Sequence, residues 1–168
     1  MKTLYLLRHA HAAPSSAERD ADHARQLTEE GEAAAVRVGA YMKAHDYFPD
    51  FILSSSAVRT LQTVRGIMGR LLRDPGQQTS SHFDRSLYLA TPDALIESLR
   101  HNANDAPRVM LMGHNPGVAE LALTLSSGAF ADHAMDYSPA TLSVFVANIN
   151  AWEDFDPAHV KLEAVYQP

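Results

Sequence analysis

Three short apolar runs limit what this chain can fold into: Leu4–Leu7, Phe51–Leu53 and Val109–Met112. Each stops abruptly at a polar or small residue. An unbroken run of this length fits a strand buried on both faces, the environment of a parallel sheet covered by helices. Helical patterns lie between the runs. Strands alternating with helices predict an α/β fold with a mainly parallel central sheet. Thr141–Ala147 alternates in part, as a strand does, and His159–Tyr166 alternates as Val160, Leu162, Ala164 and Tyr166. Thr79–Phe83 carries a weaker strand pattern.

The helix boundaries are marked by end chemistry. Thr28 precedes Glu29 and Glu30, and acids in a first turn suit the helix dipole. Leu27 can staple that start. Apolar spacing then runs through Ala34, Ala35, Val38, Tyr41 and Met42 to about His45. A second helix is predicted from about Ala57 to Leu72, with Leu61, Val64, Ile67, Met68, Leu71 and Leu72 on one face. Thr91-Pro92-Asp93 reads as a cap, a first-turn proline and an acid. In Gly113-His114-Asn115-Pro116-Gly117, Asn115 can cap a fourth helix and Pro116 can open it. Ala12–Asp22, Asp74–Gly76 and Gly128–Pro139 read as loops or turns.

With 168 residues the chain is expected to form one domain, 1–168. Its net charge of -6 argues against broad nucleic-acid or anionic-membrane binding. A small phosphorylated substrate held by a few arginines remains compatible with that charge. There is no cysteine, so thiol nucleophiles and disulfides are excluded. No apolar run approaches the roughly 20 residues of a membrane span. Leu4–Leu7 is too short for a signal-peptide core, so a cytoplasmic location is expected.

Chemistry gathers where the predicted strands end. Arg8 and His9 follow the first run, Arg59 lies in the first turn of the helix after the second, and His114 follows the third. If these strands are parallel, all three ends open on one edge of the sheet, where α/β folds bind ligands. Arg59 opposes the dipole of its own helix, a mild cost that asks for a functional reason. Two guanidinium forks and two imidazoles suit a tetrahedral dianion. Without cysteine, imidazole is the best available nucleophile, able to attack phosphorus and to release it later to water. Singly, each of the four residues has an ordinary structural explanation; the functional reading rests on all four sharing one edge. His11 is expected as an exposed loop residue, and His23, His45, His82, His101, His133 and His159 as surface residues.

The blocks Leu6-Leu7-Arg8-His9-Ala10, Arg25-Gln26-Leu27-Thr28-Glu29-Glu30-Gly31, Ser54–Thr63 and Gly113–Gly117 resemble, in order, the signature segments of the histidine phosphatase superfamily, also called phosphoglycerate mutase-like. They are most similar to its small SixA-type branch. The resemblance implies a three-layer α/β/α fold and a phosphatase with His9 as the phosphorylated nucleophile. It also implies that Arg8, Arg59 and His114 bind the phosphoryl group, with no metal or organic cofactor. Ala10 stands where glycine is common, and Gln26 where proline is. Many members place an acid after the second helix to protonate the leaving oxygen. Here that region is Asp84-Arg85-Ser86-Leu87-Tyr88, and Asp84 is the nearest candidate, although a solvated loop carboxylate is the plainer reading.

A missing general acid suits a good leaving group. The phosphoramidate P–N bond of phosphohistidine can be protonated by solvent, which favours a phosphohistidine-bearing protein as the partner. A small phosphate ester is the alternative substrate for the same mechanism. A different class is a metal-dependent hydrolase built on His9, His11 and His114 with Asp84. That reading leaves Arg8 and Arg59 beside the metal, where like charge is costly. A phosphate-binding module without turnover is a third.

Overall fold

A computed structural model of the chain describes residues 1–15, 21–71, 78–127 and 137–168. The turn at 74–76, Leu72 and most of the loop at 128–139 lie outside those residues. Six strands form one sheet: β1 (Lys2–Arg8), β2 (Phe51–Ser55), β3 (Ser80–Asp84), β4 (Arg108–Gly113), β5 (Leu142–Ala147) and β6 (Val160–Tyr166). Their spatial order is β3-β2-β4-β1-β5-β6. The pairs β1/β4, β2/β4 and β2/β3 are parallel, whereas β1/β5 and β5/β6 are antiparallel. The three apolar runs therefore sit side by side, and the two alternating segments form the antiparallel flank.

Among the described residues four α-helices cover the sheet: α1 (Glu29–Ala44), α2 (Val58–Met68), α3 (Pro92–Asn102) and α4 (Gly117–Leu125). Successive side chains of a strand face opposite ways, and the core divides accordingly. Leu4, Leu6, Val109 and Leu111 pack with Leu95, Leu99, Val118 and Leu121 of α3 and α4. Tyr5, Leu7, Met110 and Met112 pack with Ala35, Val38, Met42, Val64 and Ile67 of α1 and α2. This is the three-layer α/β/α arrangement, and it explains why β1 and β4 read as continuous apolar runs.

The Thr28 hydroxyl accepts from the Gly31 amide and caps α1, and Thr91 caps α3 through the Ala94 amide. Two local expectations fail. Asn115 does not cap α4: its amide donates to the Tyr137 carbonyl at 3.0 Å, and Pro116 takes the cap position. The Asn115–Pro116 peptide is cis. On α2, Leu61 is exposed, while Thr60, Thr63 and Arg59 are buried with Val64 and Ile67. The buried stripe of α2 thus carries polar residues that a search for apolar spacing passes over.

Candidate active site

The parallel strands β1, β2 and β4 run the same way, so their carboxyl ends share one edge of the sheet. His9 follows β1, and its amide donates to the Gly113 carbonyl at the end of β4. The Ala10 amide is held by the Thr63 hydroxyl of α2 at 3.1 Å. His114 follows β4, and its ring centroid lies 5.1 Å from that of His9. Arg59, in the first turn of α2, donates from Nε to His9 Nε2 at 3.2 Å. His9, Arg59 and His114 are thus brought together, at 9%, 2% and 2% exposure.

The His9 tautomer follows from its partners. A guanidinium only donates, so Nε2 must present a lone pair to Arg59. Nδ1 lies 2.7 Å from the Ala10 carbonyl, an acceptor, so Nδ1 carries the hydrogen. Burial lowers the His9 pKa to about 4; the charges of Arg59 and Arg8 act the same way, against the Ala10 hydrogen bond. The ring is therefore neutral at pH 7, with Nε2 on the Arg59 side.

His114 Nε2 lies 2.8 Å from the Ser55 hydroxyl, while Nδ1 is buried without a hydrogen-bond partner among the described residues. The Ala57 amide donates to the Ser55 oxygen. With the Ser55 hydroxyl donating to His114 Nε2, the neutral ring carries its hydrogen on Nδ1. Burial, then the neighbouring His9 and Arg59, lowers the His114 pKa to about 3. Arg8 is half-buried; it donates from Nη1 to the Tyr137 carbonyl at 2.8 Å, and its buried Nε has no partner among the described residues. Burial lowers its pKa, yet a guanidinium stays charged in the neutral range.

Sequence patterns missed three further residues. Asp22 accepts from Arg59 through its backbone carbonyl at 2.5 Å and its Oδ2 at 3.2 Å. Tyr88, in the segment after β3, donates its hydroxyl to the same Oδ2. The Tyr88 ring meets His114 edge-on at 5.2 Å and lies under the Arg59 guanidinium at 5.5 Å. His23, expected on the surface, is half-buried; it approaches the Ser56 hydroxyl at 3.3 Å and the Tyr88 ring at 5.1 Å. The Tyr88 hydroxyl and then Arg25 hold the Asp22 carboxyl well below the usual range.

Asp84 caps its own turn through the Ser86 amide at 2.7 Å, and that bond lowers its pKa. His11 is exposed, and its ring lies 2.9 Å from the Thr28 hydroxyl. Among the described residues no group of three or more His, Cys, Asp or Glu side chains is placed to hold a metal ion. The His9, His11 and His114 set with Asp84 therefore does not form as a ligand cluster. No helix among those residues is long and apolar enough to cross a membrane.

Comparison with known proteins supplies the family. The pattern of the histidine phosphatase superfamily (branch 1) matches residues 4–79. The candidate phosphohistidine phosphatase SixA of Nakamurella multipartitia is 26% identical with a TM-score of 0.79, over 99% of this chain and 96% of that one. The corresponding candidate SixA of Agrobacterium tumefaciens is also 26% identical with a TM-score of 0.79, over 99% and 98%. An uncharacterized chloroplastic protein of Arabidopsis thaliana is 30% identical over 99% of this chain and 78% of its own length.

Proposed function

This chain belongs to the histidine phosphatase superfamily, and on that premise we propose that it hydrolyses phosphohistidine on a protein through a phosphorylated His9. The observation that carries the reading is the neutral His9 ring, with Nδ1 anchored on Ala10 and Nε2 kept as a lone pair beside Arg59. Such a ring attacks phosphorus without first losing a proton. In the first step the His9 Nε2–P bond forms and the substrate P–N bond breaks. The departing imidazole leaves with a proton supplied by solvent. In the second step water attacks phosphorus, the His9–P bond breaks, and inorganic phosphate departs while the ring returns to its resting tautomer.

Arg59, Arg8 and the Nδ1–H of His114 donate to the phosphoryl oxygens. They stabilise the charge that these oxygens carry in the transition state. The buried Arg8 Nε and His114 Nδ1, which lack partners among the described residues, fit that task. The carboxylates near the site favour phosphohistidine over an ester. Asp22 and Asp84 are each engaged and held ionised, so neither is suited to protonate a poor leaving group. Similarity to the two SixA candidates supports the same substrate class.

The test is phosphate release, with a chelator present, from a phosphohistidine-bearing protein and from small phosphate esters. Turnover should be insensitive to the chelator, with a kcat/KM for the phosphoprotein well above that for the esters. Turnover that a chelator abolishes and added zinc restores would reject the metal-free route. Preference for the esters would reject the substrate.

A further inference from the structure

Arg59 sits on a flexible three-carbon stem, yet it is 2% exposed and is oriented with Nε toward His9. Its own helix does not explain that orientation; the contacts that do come from two other segments. Asp22 takes Nη1 on its backbone carbonyl and Nη2 on its carboxylate. Tyr88 donates to the same carboxylate oxygen and lies under the guanidinium plane. Arg25 binds the other oxygen at 2.8 Å and is itself tied to the Ala13 carbonyl at 2.5 Å.

We infer that Asp22 and Tyr88 are positioning residues: they clamp the outer edge of Arg59 so that Nε and its remaining N–H groups face the phosphoryl group. The inference rests on the proposed role of Arg59 in the reaction. A guanidinium has five N–H donors. Among the described residues two are spent on Asp22 and one points at His9 Nε2, leaving two for the substrate. When Nε2 becomes bonded to phosphorus, the Nε–H loses that acceptor and turns to the phosphoryl oxygens, while Asp22 keeps its hold on Nη1 and Nη2. Orientation fixed before the reaction is what makes a charged donor effective in a transition state. A carboxylate so close to an anion's site would repel substrate if it were free. Paired with two arginines and a phenol, it spends its charge locally. Asp22 stays ionised and the Tyr88 phenol stays protonated across the neutral range, because burial and the Asp22 bond raise the phenol's pKa.

The test is a double-mutant cycle on phosphohistidine hydrolysis, with kcat and KM measured separately. Asp22→Ala is expected to lower kcat by about 10- to 100-fold, the scale of a misplaced catalytic group, with KM changed far less. In an Arg59→Ala background the same change should cost less than about twofold, because coupled residues do not add. Asp22→Asn, which keeps an oxygen acceptor, should retain more activity than Asp22→Ala. If Asp22→Ala fails to fold, Tyr88→Phe removes only a hydroxyl and should show a smaller loss that again disappears without Arg59. Equal losses in both backgrounds would overturn the inference. So would an unchanged or raised kcat with tighter binding of inorganic phosphate, which would make Asp22 a competitor of the substrate. An Arg59→Ala variant as active as the parent is a separate outcome, one that removes the role of Arg59 itself.

Discussion

At the scale of single residues, the two nitrogens of His9 do different work because their partners differ: a carbonyl fixes one, and a cation that can only donate faces the other. Ring resonances followed by NMR should stay those of a neutral imidazole from pH 8 to below 5 and titrate near pH 4. A midpoint near the ordinary 6.5 would contradict the burial that sets this state. Arg59→Ala should lower kcat/KM by about 100-fold, the loss typical of one transition-state donor, in steady-state kinetics on phosphohistidine. His9, Arg59 and His114 were legible in the sequence because each closes or follows an apolar run, so their meeting required only parallel strands. Asp22, Tyr88 and His23 were not. They come from loop segments without periodicity, and they matter through contacts spanning as many as 66 residues, as between Asp22 and Tyr88. A local trace is the pairing of Asp22 with Arg25 three residues on.

At the scale of elements, the starts of the helices set how closely the site segments approach. Gly31, in the first turn of α1, lies so near the His11 carbonyl that an added Cβ would stand 2.0 Å from its oxygen. Gly117, in the first turn of α4, lies against Ala90, where a Cβ would meet the carbonyl oxygen at 1.9 Å. Both neighbours are backbone, so a side chain is accommodated only by moving an element. Gly117→Ala should therefore cost about 1–3 kcal/mol, the range for overpacking. At about 2–4 °C per kcal/mol for a chain of this size, the melting temperature should drop by several degrees. Calorimetry checks this, and an unchanged melt would show that the contact yields easily. The capping threonines of α1 and α3 were readable because capping is local chemistry. Asn115 was misread because a carbonyl 22 residues away claims its side chain. Leu61 was misread because the buried stripe of α2 is made partly of Thr60, Thr63 and Arg59.

At the scale of the molecule, the strand order places the carboxyl ends of β1, β2 and β4 side by side, and the site is assembled on that edge. The same burial that keeps His9 and His114 neutral makes stability depend on pH. Their folded pKa values, about 4 and about 3, lie below the unfolded value. Below about pH 6.5 the unfolded chain binds protons that the folded chain refuses, so folding stability must fall as pH drops from 6.5 toward 4. Urea unfolding across that window should show the slope, and replacing both rings with glutamine should flatten it. An identical slope in the double variant would place the titrating groups elsewhere. The parallel core was legible from the three apolar runs. The order of the strands was not, because pairing partners are chosen across the whole chain. One atom, His9 Nε2, takes the phosphoryl group in the proposed reaction. Rapid quenching into base during turnover, followed by peptide mapping, should find an acid-labile phosphoryl group on His9 that disappears in His9→Ala along with turnover. A phosphoryl group on any other residue, or undiminished turnover by His9→Ala, would contradict it.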